Sequence, residues 1–332
     1  YRHYPDDIVE KFVQKSIENG IDIIRIFDAL NDIRNLKSAV DATKKYGGHC
    51  QIALSYTTSP VHTIAYFVEL AKEVEKMGAD SLCIKDMAGI LLPQDAYDLI
   101  TQLKKHTKLP INLHSHATAG IMEATYLKAI EAGVDIIDTA LSPLSGGTSQ
   151  VATESFYYIL KNTPYEAKLD IHKLKKASDK LTVIKDHYLD KGVLNPKALT
   201  TNPSILEYQV PGGMLSNLMS QLKEQNQMAD YEKVLREVPI VRKDLGYPPL
   251  VTPMSQMVGT QALMNVMTGE PYKIVSKEVR EYLHGLYGKF PAEVNPLVLA
   301  KIVGDDEIIT HRPADDLKPE FEDLKKKYEA AH

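Results

Sequence analysis

Two histidines separated by one residue, His114 and His116, close the short apolar run Ile111–Leu113. On an extended strand, residues i and i+2 project to the same side, so both imidazoles can reach one cation. Imidazole nitrogen is a good ligand for zinc and its neighbours. A pair of hydrogen-bonded core histidines is the alternative. A second polar strand end, Lys85-Asp86-Met87-Ala88-Gly89, follows another apolar run, and Phe27-Asp28 ends a third. A protonated Lys85 would be repelled by a neighbouring cation, and an ion pair with Asp86 or Asp28 would explain it. In an enclosed site the lysine can instead lose its proton, react with carbon dioxide and present an anionic carbamate oxygen as a ligand. Thr252, followed by Pro253 and a helical pattern, has the form of a helix N-cap.

The elements that must position these residues alternate regularly. Apolar, β-branched runs at Ile21–Phe27, Gln51–Tyr56, Asp80–Ile84, Ile111–Leu113 and Val134–Thr139 read as buried strands. Between them lie amphipathic helical patterns at Asp6–Asn19, Ile33–Tyr46, Thr63–Met77, Gln94–His106 and Ile121–Ala132. Pro5 suits the opening position of the first helix, and Gly20, Gly78 and Gly133 suit helix ends. Strands recur every ~25–30 residues, the length of one βα unit. No strand is followed by a Gly-rich phosphate loop, which favours a (β/α)8 TIM barrel over a doubly wound nucleotide fold. A closed barrel would need three further units before Tyr1, so the reading is a barrel lacking its first strands, over residues 1–165. Residues 166–332 read as a mainly helical extension, with patterns at Ile171–Leu189, Leu215–Gln227, Asp230–Leu245, Met254–Met267 and Lys277–Leu286.

A length of 332 residues with 44% hydrophobic content excludes disorder and allows one large α/β domain with an appendage. A net charge of −5 without a dense Lys/Arg tract argues against nucleic acid as a partner. Cys50 and Cys83 both sit in apolar runs, which fits a reducing cytoplasm better than a disulfide framework. No leader or run of ~20 apolar residues directs export or spans a bilayer. The first residue is Tyr, so the expectation is a piece of something longer.

Several runs together resemble the carboxyltransferase family of pyruvate carboxylase, transcarboxylase and oxaloacetate decarboxylase. These are KDMAGIL at Lys85–Leu91, LHSHATAG at Leu113–Gly120, AIEAGVDIIDTALSPLSGGTSQ at Ala129–Gln150, QVPGGMLSNL at Gln209–Leu218 and LVTPMSQMVGTQA at Leu250–Ala262. The opening YRHYPDD and the YTTSPVH at Tyr56–His62 look like those of the oxaloacetate decarboxylase α-subunit, a branch shared with two-subunit pyruvate carboxylase. The resemblance implies a carbamylated Lys85 which, with His114 and His116, binds a divalent metal, zinc first with manganese or cobalt as alternatives. It implies Thr252 as the proton shuttle and Tyr1 as a substrate-binding tyrosine. The family's aspartate ligand and substrate-binding arginine belong to motifs not found in this sequence.

The implied reaction moves a carboxyl group between oxaloacetate and biotin on a separate carrier domain, with pyruvate as co-product. The matching subunit of two-subunit pyruvate carboxylase, making oxaloacetate from pyruvate, is the alternative direction. An aldolase-like lyase with a similar His-x-His pair is a rival that leaves Lys85 without a role, and a non-catalytic docking or assembly fragment is the reading from another class. Expected partners are the biotinylated carrier and either membrane decarboxylase subunits or an ATP-dependent biotin carboxylase subunit, in a homo-oligomer. The expected location is cytoplasmic, peripheral to the membrane if the membrane subunits are the partners.

Overall fold

In a computed structural model, residues 3–208 and 227–331 are described, together with 211, 214, 218, 219, 222 and 223. The apolar runs form one parallel sheet of β1 (Ile23–Phe27), β2 (His49–Ser55), β3 (Ser81–Asp86), β4 (Ile111–Ser115) and β5 (Ile136–Ile137), in that spatial order. Helix α1 (Asp6–Glu18) precedes β1, α2 (Lys37–Lys45), α3 (Ile64–Lys76), α4 (Pro93–His106) and α5 (Met122–Glu131) separate the strands, and α1 packs on α2, α3 on α4 and α4 on α5. One face of the sheet is therefore covered by helices. Ile52, Leu54, Leu82, Ile84, Ile111 and Leu113 pack there against Phe67, Leu99, Leu103 and Tyr126. Burying each such side chain contributes ~1.5–3 kcal/mol.

Because side chains alternate along a strand, the residues between these apolar positions face the opposite, concave side. They include Arg25, Gln51, Cys83, Lys85, Asn112 and His114. The sheet is curled strongly enough that Arg25 of β1 reaches Asp138, just past β5, at 2.7 Å. Sheet curvature of this kind is what a barrel requires.

Local boundaries differ from the sequence expectation where side chains intervene. The segment Ile33–Tyr46 divides into a 3-10 turn, Ile33–Leu36, and α2, because the Asp32 carboxylate accepts from the Arg34 backbone N–H at the turn's start. Pro5 occupies the N-cap of α1, one place earlier than the opening helical position. Strand β5 is shorter than Val134–Thr139: Asp138 N still donates to Leu113 O, after which the chain turns away and Ala140 pairs with Ala152. The QVPGGMLSNL run and the helix expected over 215–227 fall largely outside the described residues.

A second apolar cluster lies in the helical half. Val234, Val238 and Val241 of helix Tyr231–Asp244 pack against Met254 and Val258 of helix Met254–Thr268 and against Tyr282. Leu30 and Ala119, from the loops after β1 and β4, belong to this cluster, so the helical half sits over the C-terminal ends of the strands. Buried Arg242 fastens the two halves, donating to Thr57 Oγ1 at 2.7 Å and Pro248 O at 3.1 Å.

Beside this joint, His62 is only 6% exposed. Ser59 Oγ accepts from the backbone N–H groups of Val61 and His62, so its hydrogen goes to His62 Nδ1 at 2.7 Å, leaving a neutral imidazole with its hydrogen on Nε2. Burial, aided by the Arg242 charge, pulls the His62 pKa from 6.5 down to about 3. The unfolded chain takes up a proton that the native state refuses. This contribution to stability is therefore complete above the unfolded pKa and is lost as pH falls toward the folded one. In denaturant melts between pH ~7 and ~4, the wild type should lose stability with a steeper pH slope than His62→Phe, by up to ~1.4 kcal/mol per pH unit. Equal slopes would show that His62 does not titrate on unfolding.

Candidate metal centre

Strands β2, β3 and β4 place Ser55, Lys85 and His114 in one register row on the concave side. Each histidine is oriented through Nδ1. His114 Nδ1 lies 2.8 Å from Asp138 Oδ2, and His116 Nδ1 lies 2.6 Å from the Thr148 carbonyl oxygen. A carboxylate and a carbonyl only accept, so both Nδ1 atoms carry hydrogen, and in the neutral rings both Nε2 atoms carry lone pairs. Those Nε2 atoms face each other at 3.4 Å. Two lone pairs so opposed are unfavourable unless a cation lies between them. Burial and the neighbouring His114 pull the His116 pKa down to about 4, which keeps its Nε2 lone pair available as a donor. Two nitrogens bound ~2.0–2.1 Å from one tetrahedral zinc lie roughly 3.4 Å apart, so the pair fits a metal ion. Among the described residues no group of three or more His, Cys, Asp or Glu side chains could hold one. A third donor from the described residues would be of another kind.

Lys85 stands in that row. Its Nζ lies 4.8 Å from the centroid of the Phe27 ring, and burial lowers its pKa, which raises the fraction present as the neutral amine. Neither carboxylate that could have paired with it is available. Asp86 points to the opposite face, fully buried, where it accepts from the backbone N–H groups of Gly89, Ile90 and Leu91 and from Ser115 Oγ. Asp28 accepts from Leu30 N, Asp32 N and Asn35 Nδ2, and burial pushes its pKa up to about 6. The ion-pair explanation of Lys85 is thereby replaced.

The loops around the site are held closely. Asn31, in the left-handed conformation at φ 59°, accepts from Ser55 N and donates to Ser55 O, fixing the end of β2 next to Lys85. Gly89, at φ 71°, lies so near the His116 carbonyl that a Cβ would collide with it, which accounts for the glycine of KDMAG. Below His114, Arg25 donates to Gln51, Asp138 and Asn112, and Asn112 Nδ2 donates to Asp138 Oδ1 at 2.9 Å.

Thr252 does not cap a helix. The helix Met254–Thr268 takes Pro253 as its N-cap residue and has no side-chain cap, which corrects the N-cap expectation. Thr252 instead lines a cavity of about 530 Å³ together with Tyr4, Phe27, Asp28, Tyr287 and Arg312. Phe27 is the shared wall: its ring faces Lys85 Nζ and borders the Thr252 cavity. Tyr1 lies outside the described residues.

Comparison with known proteins extends this geometry. A family model described as HMGL-like matches residues 20–181, and one described as Conserved carboxylase domain matches residues 205–332. A pyruvate carboxylase subunit of Methanocaldococcus jannaschii is 55% identical over 330 residues, an alignment covering 99% of this chain and 58% of that protein. The methylmalonyl-CoA carboxyltransferase 5S subunit of Propionibacterium freudenreichii is 48% identical over 326 residues, covering 97% and 64%. The carboxyl transferase domain of Rhizobium etli pyruvate carboxylase, solved with pyruvate, superposes with a TM-score of 0.91 at 30% identity, covering 99% of this chain and 58% of that one.

The chain belongs to the pyruvate carboxylase carboxyltransferase family. Its curled parallel sheet of five strands corresponds to part of the TIM barrel of that carboxyltransferase family. The chain spans somewhat more than half the length of these relatives. The structure places Lys85 beside His114 in one register row, with His116 Nε2 3.4 Å from His114 Nε2, and sets Thr252 on the far side of Phe27. The sequence expectation missed Arg25 and Asp138. A charged residue at the centre of the otherwise apolar Ile23–Phe27 was the available signal.

Proposed function

We propose that this chain transfers a carboxyl group between carrier-bound biotin and pyruvate, with Lys85, as its carbamate, and His114 and His116 holding a divalent ion, zinc first and manganese or cobalt as alternatives. The observation that carries the reading is the pair of Nε2 atoms of His114 and His116, facing each other 3.4 Å apart beside the strand face that presents Lys85. The ion would supply Lewis-acid polarisation of the 2-oxo oxygen and stabilise the negative charge that gathers there. Partial burial of Lys85 lowers its pKa and so raises the share of neutral amine, the form that can attack carbon dioxide and give up a proton to become an anionic donor. Thr252 Oγ1 carries the proton. In the carboxylating direction the biotin N–carboxyl bond breaks, a carbon–carbon bond forms at the pyruvate methyl carbon, and the displaced methyl proton passes through the Thr252 hydroxyl to the biotin nitrogen. Tyr1 is assigned to substrate binding by family resemblance alone.

Relatives named as a pyruvate carboxylase subunit and as a 2-oxoglutarate carboxylase large subunit favour carboxylation of a 2-oxo acid as the direction. That direction calls for a biotinylated carrier and an ATP-dependent biotin carboxylase as partners. Among the described residues no helix is long and apolar enough to cross a membrane, so any membrane partner would have to supply its own span.

The reverse half-reaction tests the proposal with small molecules. Oxaloacetate and free biotin incubated with the protein should release pyruvate at a biotin-dependent rate. A strong chelator should suppress the release, and zinc, manganese or cobalt should restore it. Release that needs no biotin and survives chelation would overturn the assignment.

A further inference from the structure

The interior of a TIM barrel is ordinarily filled by layers of bulky apolar side chains. Here the layer beneath His114 is polar, built from Arg25, Gln51, Asn112 and Asp138, which come from β1, β2, β4 and the residue just past β5. The Arg25–Asp138 pair is half-buried, with side chains 30% and 25% exposed, and such a pair adds little net stability, because lost hydration and solvent screening offset most of the attraction. A role beyond stability is therefore to be sought in what the layer touches.

Its bonds converge on Asp138. Asp138 Oδ2 receives Arg25 Nη1 at 2.7 Å and His114 Nδ1 at 2.8 Å, while Oδ1 receives Asn112 Nδ2 at 2.9 Å. Every nitrogen of Arg25 already faces a protein acceptor: Nε meets Gln51 Oε1, Nη1 meets Asp138, and Nη2 meets Asn112 Oδ1 at 3.3 Å. The guanidinium is thus turned inward as a support rather than outward toward a substrate. The two histidines are supported differently, His116 by a backbone carbonyl and His114 by a carboxylate that is itself fixed from two further sides.

We infer that Arg25, Asn112 and Asp138 form a positioning clamp that holds His114 as the Nδ1–H tautomer, with its Nε2 lone pair aimed at the point shared with His116. The inference rests on the metal reading given above. Asp138 fixes the tautomer because it can only accept. Arg25 and Asn112 fix the rotamer of Asp138, so the imidazole plane cannot turn without breaking bonds to separate strands. A carboxylate behind a ligating histidine also strengthens it as a donor, and loss of such a partner typically costs ~10–100-fold in metal affinity.

The test uses Asp138→Asn in the full chain, with two readouts. In the ion-free protein, nitrogen-15 NMR of the histidine side chains should show wild-type His114 as the Nδ1–H tautomer and the variant as a mixture, which a merely structural role would not produce. By equilibrium dialysis against zinc, and by the visible spectrum of the cobalt-loaded protein, the variant should bind ~10–100-fold more weakly with an altered cobalt spectrum. Should Asp138→Asn not fold, Arg25→Lys decides: it keeps the charge but cannot reach all three acceptors, and should loosen His114 in the NMR spectrum and weaken zinc binding several-fold. A wild type that binds zinc no better than either folded variant, with the same His114 tautomer, overturns the clamp and leaves the metal site standing. A wild type that binds no divalent ion overturns the metal reading and this inference with it.

Discussion

Lys85→Ala should lower carboxyl transfer by at least ~10²-fold and release the bound ion, while the fold survives. The reason lies in the donor count. Two imidazoles alone do not make a closed site, and among the described residues no third His, Cys, Asp or Glu joins them. Lys85 is the neighbour in the row, with a pKa lowered by burial. As a carbamate it would be an anionic oxygen donor. As an ammonium it would repel the ion. These two states predict opposite rescues. In the alanine variant a short carboxylate such as acetate should restore part of the activity and ion content, because it replaces the missing oxygen donor. Propylamine should not. The same logic fixes the pH and bicarbonate dependence in the wild type. Carbamate forms from the neutral amine, whose fraction rises with pH, so ion affinity should rise with pH and with added bicarbonate, and neither trend should persist in Lys85→Ala. Rescue by propylamine and not by acetate would show that Lys85 acts as a cation, and the carbamate would have to be abandoned.

The parts of this site that were legible in the sequence are those governed by short-range periodicity. His114 and His116 share a direction because strand side chains alternate, and Lys85 joins them because each βα unit delivers the next strand end to the same side of the sheet. The elements themselves were readable from apolar β-branched runs and from helices ended by glycines with positive φ, such as Gly20 and Gly78. What remained hidden depends on long-range closure. Arg25 and Asp138 are 113 residues apart, and only the curl of the sheet brings them together. The shortness of β5 is likewise set by where its neighbour's ladder ends and by the Ala140–Ala152 pairing. At Thr252 the sequence misled for a local reason. A threonine before a helix has the composition of a cap, but capping needs the helix to begin one residue later, and Pro253 occupies that place.

That correction sharpens the second large effect, at Thr252 itself. With no capping bond to lose, Thr252→Val keeps the shape of the side chain and removes only the hydroxyl. Its melting temperature and ion content should therefore stay near those of the wild type. If the hydroxyl relays the proton between biotin nitrogen and the pyruvate methyl carbon, transfer should fall by ~10²–10⁴-fold, the scale of a positioned acid–base group. Thr252→Ser supplies the hydroxyl without the methyl and should retain most of the activity. The pair separates chemistry from packing, because valine preserves the contacts around the cavity shared with Phe27 and Tyr287 while serine gives some of them up. Exchange of the pyruvate methyl hydrogens with deuterium from solvent, measured with biotin present, gives an independent reading. It should vanish in Thr252→Val and persist in Thr252→Ser. An active valine variant beside an inactive serine variant would mean that Thr252 serves the cavity wall, and that the proton reaches biotin by another group.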